Sequence, residues 1–380
     1  MTRKTVLFLT IVFLLISTTL LFFIGPEFIQ SRYYNQAIDD KGSIGDAFGG
    51  TLSPIIAWIA AILTFLAFYI QYESNKKQRK QFKKQAEDTA IERFESRFFE
   101  MIRLHRENVE ELNIQNVIKG RTVFTPMFFE LKYIFLLFKK ESIEQIKDKG
   151  SVTEKELLNI SYLVFFYGIH DASDDVFRDL LADYKEREFF KATVNRLKLA
   201  QEQYSVWKNA TTRDEIFRLS VSLNKLKVNF EPTFRPFTGH GQKLSHYYRH
   251  LFQSVKYVDQ QKNELIDSQR KYEYVKMLRA QLSNFEQILF YYNSCSVLGD
   301  SWKDKKNNLI VRYRLIKNLP VAFADFGITP AEEYKDISTS SYEEYKKFKE
   351  AENDGSVNSQ NIKRGEVFFD WKVIQEKLGK

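Results

Sequence analysis

The chain has 380 residues, carries a formal net charge of +8 and is 44% hydrophobic, enough for a packed core, which excludes disorder along its whole length. Its 34 Phe and 20 Tyr against 15 Gly and 7 Pro favour long helices over a turn-rich β-sandwich. The single cysteine, Cys295, excludes an internal disulfide and a multi-thiolate metal site, and fits a reducing compartment as a small core residue.

Two charge-free apolar runs open the chain. Thr5–Ile24 (TVLFLTIVFLLISTTLLFFI) is long enough, at about 1.5 Å per residue, to cross a hydrocarbon core of roughly 30 Å. Gly25-Pro26 stops it, and the absence of a small-x-small cleavage site favours a retained helix over a signal peptide. Leu52–Ile70 (LSPIIAWIAAILTFLAFYI) is the second run, with Ser53 as N-cap, Pro54 at the first helical position, and Trp58 and Tyr69 suited to the interfaces. Between them, Gly42-Ser-Ile-Gly-Asp-Ala-Phe-Gly-Gly50 has only a loose likeness to a phosphate loop, lacking the Lys-Ser/Thr that would follow. It reads as a tight turn that lets two helices approach.

Charge gives the orientation. Arg3 and Lys4 flank the first run, and Lys76, Lys77, Arg79, Lys80, Lys83 and Lys84 follow the second. The intervening loop holds Arg32 and Lys41 against Glu27, Asp39, Asp40 and Asp46. The positive-inside rule therefore predicts both ends inside and the loop, 26–51, outside. The basic cluster is expected to bind anionic lipid headgroups, each residue contributing about 1 kcal/mol near the surface. That accounts for much of the basicity, so the charge does not require a nucleic-acid partner. The lipid bilayer is the partner that these residues imply.

The expected fold class is all-α: a two-helix membrane anchor (1–72), a basic juxtamembrane stalk (73–119), a mainly helical cytoplasmic domain (120–330), and a polar linker with a C-terminal segment (331–380). From Glu73 to about Asn113 neither Gly nor Pro interrupts the chain. Ile91, Phe94, Phe98, Met101 or Ile102, His105, Val109 and Leu112 recur at three-four spacing. This seam suits either a core face or another helix, including a homo-oligomer through the stalk. Thr125-Pro126 opens a helix over Met127–Lys140 (MFFELKYIFLLFKK), too short and charged to span a bilayer and so expected to be buried. Further helices are predicted over Lys155–Gly168, Asp174 to about Lys208, and Ile216–Val228. The stretch Asn229–Gly241 (NFEPTFRPFTGHG) is irregular. Helices are predicted again over Leu244 to about Arg270 and Tyr272–Asn293, with a helix or a strand over Lys306–Asn318. Ile337–Arg364 is polar and reads as a flexible linker, and Glu366–Leu378, with Phe368, Phe369 and Trp371, is expected to dock back or to meet a partner.

One cluster could carry chemistry. Three of the five histidines, His240, His246 and His250, lie close together with Arg235 and Arg249. His246 and His250 are spaced i, i+4 on one helix face, as in zinc-binding helices. Tyr247, Tyr248 and Arg249 lie between them in place of a catalytic Glu, and no cysteine can complete a site, so no metal and no cofactor is expected. Arg235-Pro-Phe-Thr-Gly-His240 meets the loose Arg-x(4–6)-His pattern of HEPN-type ribonucleases, in which imidazole moves a proton and guanidinium meets phosphate charge. The pattern is common in so basic a chain, and here it lies on a Pro- and Gly-broken segment. A third reading makes Leu244–Asp259 a core helix whose His and Tyr residues fix an inter-helix contact.

Several of these pieces together resemble the phage abortive infection family, often called AbiC-like: the paired N-terminal helices around Gly45, Asp46 and Gly49, the Glu-Ser-Arg-Phe-Phe-Glu-Met run at 95–101, and the block Gly-His-Gly…Leu-Ser-His-Tyr-Tyr-Arg-His-Leu-Phe at 239–252. The last is the most specific, with Tyr248 where the family usually has Phe and Phe252 where it has Tyr. The resemblance covers the chain up to about residue 320. It implies a bacterial protein that stops growth of the infected cell or kills it before phage release, answering a phage-derived trigger or a defence partner. Together with the charge-based orientation, the expectation is a bacterial inner-membrane protein, N-in and C-in, with a periplasmic loop. His246 and Arg249 match the family signature. The readings left open are an effector or sensor, a membrane-tethered ribonuclease centred on Arg235, His240 or His246, and a scaffold or receptor without a defence role.

Overall fold

The computed structural model describes residues 8, 10–13, 15–19, 23, 41–145, 152–170, 177, 188–210, 216–304, 308–353 and 366–379. Two compact units, Met1–Glu92 and Arg93–Lys380, divide the chain. The first expected span, Thr5–Ile24, lies partly outside the described residues, and those described within it are helical.

Helix α1 runs from Lys41 to Glu110. It overturns two local expectations. Gly42–Gly50 is helical rather than a turn, and Pro54 lies inside the helix rather than at its start. Proline removes one N–H, opposite the Gly50 carbonyl, but continuing the helix keeps the other backbone groups of this apolar run bonded, which outweighs the local loss. Within the first unit, Trp58, Phe65 and Phe68 are about 70% exposed, at 72%, 70% and 69%. Among the described residues this is the one helix long and apolar enough to cross a membrane, judged by length and composition. Lys76, Lys77, Arg79, Lys80, Lys83 and Lys84 are all exposed along it.

In the second unit the last turns of α1 bury Phe94, Phe98, Ile102, His105 and Val109. Phe94 stacks on Tyr257 at 5.3 Å and meets Tyr274 edge-on at 4.9 Å. The seam read from the sequence is therefore a core face filled by this chain's own residues. A small hairpin (β1, Asn113–Ile114; β2, Ile118–Lys119) and a 3₁₀ turn, Gly120–Val123, lead into α2, Phe124–Gln145. As the continuous apolar run of α2 predicts, the helix is central: Leu131, Ile134, Phe135, Leu136 and Phe138 are fully enclosed. Helix α3, Glu154–Tyr167, packs on it and starts at a Thr153–Glu156 capping box. Helix α4, Glu188–Asn209, packs on another side. The earlier part of the predicted 174–208 helix lies almost wholly outside the described residues.

The predicted helix over 216–228 is instead a hairpin, β3 (Leu219–Leu223) and β4 (Leu226–Phe230), paired antiparallel with Val221 opposite Val228. Leu219, Val221, Val228 and Phe230 are buried while Ser220, Ser222, Lys227 and Asn229 face out, a period of two. Asn224, at φ 53, makes the turn. The long helices predicted beyond are shorter. Helix α5 spans Gly241–Asp259, α6 Ser268–Arg279 and α7 Asn284–Cys295. Asp267 caps α6, and a Ser283–Glu286 capping box opens α7, so polar N-caps divide what looked continuous. A 3₁₀ turn, Val297–Lys303, leads to α8, Leu309–Tyr313, which Arg314 ends at φ 48, so Lys306–Asn318 holds one short helix.

The polar 337–364 stretch is not a linker throughout. After α9 (Pro330–Glu333), α10 covers Lys335–Asn353, burying Ser338 and Ser341 on one face. The C-terminal segment docks back, as one of its two expected outcomes. Phe368 and Phe369 are buried, the Phe368 N–H donates to Ser341 Oγ at 2.9 Å, and the Asp370 N–H, at the start of α11 (Asp370–Lys377), donates to the Lys317 carbonyl at 2.9 Å. The class is therefore mainly helical, with two small hairpins.

Candidate functional site

The block 239–252 begins where the chain crosses the end of α3. Gly239 and Gly168 both have φ +83, and a Cβ on Gly239 would lie 2.6 Å from the Tyr167 carbonyl. Only glycine fits there. This close approach lets the His240 N–H donate to the Phe166 carbonyl at 3.0 Å and turns the His240 ring inward. Its Nε2 lies 3.0 Å from Glu130 Oε2, and Glu130 Oε1 accepts the Phe237 N–H at 2.7 Å. With Glu130 as carboxylate, Nε2 is the donor. His240 is 1% exposed and Glu130 0%, and Phe165 covers the imidazole at 4.9 Å between ring centres. The geometry ties α2, α3 and α5 together and offers neither His240 nor Glu130 to a substrate.

Helix α5 has two faces. Tyr247 and Tyr248 point into the core. The Tyr247 hydroxyl donates to Glu286 Oε1 at 3.1 Å, Arg121 Nε pairs with Glu286 Oε2 at 3.0 Å, and the same carboxylate caps the Ser283 N–H at 2.7 Å. Burial pushes the Tyr247 hydroxyl far up, so it stays a donor. His105 is fully enclosed beside it, its ring 5.2 Å from Tyr247 and 6.0 Å from His250, and neither of its nitrogens has a hydrogen-bond partner. Burial first, then the charges of His250 and Arg121, push its pKa down to about 4. Burial also lowers that of His250.

On the other face His246 and Arg249 are exposed. His250 is half-buried toward His105, so the i, i+4 pair divides between surface and interior. Arg235 is exposed, donates to Gln201 Oε1 at 2.9 Å, and has its backbone N–H and carbonyl held by the Gln115 amide. Arg235 and His240 thus turn to different partners. Among the described residues no group of three or more His, Cys, Asp or Glu side chains is placed to hold a metal ion.

The sequence reading missed Glu130 and the Arg121–Glu286 pair. Glu130 had a signal: a lone acid in MFFELKYIFLL, a helix expected to be buried, demands a hydrogen-bonding partner. Residues 239–324 match the family model described as "Putative phage abortive infection protein". Over this segment the chain is similar to the AbiC-like family. The matched segment takes in α5, α6, α7 and α8. The N-terminal helices and the 95–101 run lie outside the match. No curated protein and no solved structure shows significant similarity to the chain.

Proposed function

We propose that this chain is a membrane-anchored anti-phage protein of the bacterial inner membrane, an effector or sensor that halts the infected cell through its Arg93–Lys380 unit on the cytoplasmic side. The observation that carries this reading is the AbiC-like segment at 239–324. The apolar, exposed stretch within α1 and the basic residues after it support anchoring with that unit inside. Anchoring is favoured over conduction because both apolar runs lack an ionisable residue of the kind that marks an ion pathway. The exposed His246 and Arg249 are the part of the signature able to meet a phage-derived trigger or a defence partner.

A phage challenge tests this with the wild type, a His246→Ala/Arg249→Ala variant and a chain lacking residues 1–72. The wild type is expected to protect, and both variants to lose protection while the double variant accumulates normally in the membrane. Full protection by the shortened chain would overturn the anchored reading, and absence of protection by the wild type would overturn the defence role.

A further inference from the structure

A cleft of about 1030 Å³ opens in the second unit between the C-terminal end of α5, helices α6 and α8, helix α10 and the start of the docked C-terminal segment. Its floor and one side come from the AbiC-like segment, through Asp259, Lys271, Tyr272, Lys276, Arg312 and Arg314 among others. The opposite wall, Tyr345, Phe348, Lys349 and Glu366, lies outside that segment. We propose that this cleft binds a nucleoside polyphosphate, its phosphates held by the basic side chains and its base against the aromatic wall.

Charge supports this. Five cationic side chains line the cleft (Lys271, Lys276, Arg312, Arg314, Lys349) against three anionic ones (Asp259, Glu273, Glu366). The acids are already engaged. Asp259 Oδ1 accepts from Arg312 Nη1 and from the Tyr313 hydroxyl, each at 2.7 Å. Glu366 takes the Tyr272 hydroxyl, faces the Lys276 and Lys317 ammonium groups at 3.2 Å each, and has Arg279 at 4.0 Å. Lys317 and Arg279 are cations beyond the five, and although Lys317 also faces Asp370 at 3.3 Å, positive groups still outnumber the carboxylates around the cleft. Guanidinium and ammonium groups in a concave, partly desolvated setting recognise phosphate.

Shape and rigidity agree. The volume lies at the upper limit of small-ligand sites, which are usually about 300–1,000 Å³. Tyr345 and Phe348, a turn apart on α10, are half-buried and leave ring surface in the cleft. The floor is braced from beneath: buried Arg279 donates through Nη1 to the Tyr313 and Arg314 carbonyls at 3.2 and 3.0 Å, and Lys271 donates to the Asp259 carbonyl at 3.0 Å. A site held open in this way needs little ordering when a ligand arrives.

The inference gives a ligand class to the sensor side of the proposed function and rests on it only for meaning. Binding is measured on purified protein without phage, so either can fail while the other stands. Full-length chain in lipid nanodiscs is titrated calorimetrically with ATP, GTP, inorganic tripolyphosphate and adenosine. A nucleoside triphosphate is expected to bind, with tripolyphosphate and adenosine each weaker by about tenfold or more, since a stacked base contributes roughly five- to hundredfold. Phe348→Ala and Lys349→Glu, both on the outer wall, are each expected to weaken binding about tenfold at an unchanged melting temperature. Three results would overturn the proposal: no binding of either nucleotide at millimolar concentration, tripolyphosphate binding as tightly as ATP, or both variants binding like the wild type.

Discussion

Replacing Glu130 by Ala separates the packing part of the histidine block from the part that can act. Glu130 Oε1 holds the Phe237 N–H at 2.7 Å and Oε2 holds His240 Nε2 at 3.0 Å, in a site where neither side chain is more than 1% exposed. Truncation leaves a backbone N–H and a ring nitrogen buried without partners, each costing about 1–3 kcal/mol, and removes half of a buried pair, so the total expected is about 3–5 kcal/mol. A domain stable by about 5–15 kcal/mol would lose a large share of its margin. Glu130→Gln keeps an oxygen for Phe237 and presents an amide to His240, and is expected to cost about 1–2 kcal/mol. His246→Ala and Arg249→Ala, on the exposed face, should stay within about 0.5 kcal/mol of wild type. Denaturant titration of the detergent-solubilised chain, followed through tryptophan fluorescence to which buried Trp302 contributes, gives all four values. A Glu130→Ala protein as stable as wild type would refute the reasoning. So would a His240→Ala protein that folds with full stability yet no longer protects, since it would make the imidazole a functional group.

Two further predictions follow from the same fold. Gly239→Ala would place a Cβ 2.6 Å from the Tyr167 carbonyl at φ +83, whereas Gly120→Ala, at φ +63, meets nothing within 4 Å. The second should cost only the left-handed penalty of about 1–2 kcal/mol, the first clearly more, and equal shifts in melting temperature would remove the close-approach argument. Burial alone would raise the Glu366 carboxyl, but the Tyr272 hydroxyl and the Lys317 and Lys276 ammonium groups outweigh it and hold the pKa at about 2. Between that value and the usual 4.5 the unfolded chain binds the extra proton. The stability Glu366 contributes is therefore present above pH 4.5 and lost as pH falls toward 2, by at most about 3 kcal/mol. Unfolding measured from pH 5 to 2 should show this loss in the wild type and not in Glu366→Gln, and parallel curves would exclude it.

What the sequence conveyed and what it hid divide along the range of the forces involved. The burial of α2 was legible because a run such as IFLLF admits no solvated face. The identity of the 216–228 stretch was not. Leu219, Val221, Leu223, Leu226 and Val228 satisfy a three-four spacing nearly as well as an alternation, and contact with α2 decides between them. Asp267 and Ser283 are recognisable N-caps, yet each lies in a run rich in helix-forming residues, and the breaks before them become plain only where the caps bond the first turns of α6 and α7. The polar 337–353 stretch contains Tyr342, Tyr345 and Phe348 at helical spacing, a signal outweighed by its Ser- and Glu-rich composition.

The candidate site shows the same division more sharply. His240, His246 and His250 look alike as letters in a row, but the partner that fixes His240 is Glu130, 110 positions earlier, and the neighbour of His250 is His105 on α1. Local pattern can place three histidines near one another, and only the tertiary fold can say that one is a brace, one is half-hidden and one is available. This bears on how a family signature is read. A block matched as a unit contains residues held for different reasons: Gly239 for backbone clearance, His240 for a buried hydrogen bond, Tyr247 for the Glu286–Arg121 pair. Loss of protection on replacing any of these reports unfolding first and function second. Only a variant such as Arg249→Ala, whose side chain stands outside the core, can lose protection at full stability. Function is therefore best sought on the outer face of α5 and along the outer wall of the cleft at its C-terminal end, away from the side chains that hold the helices together.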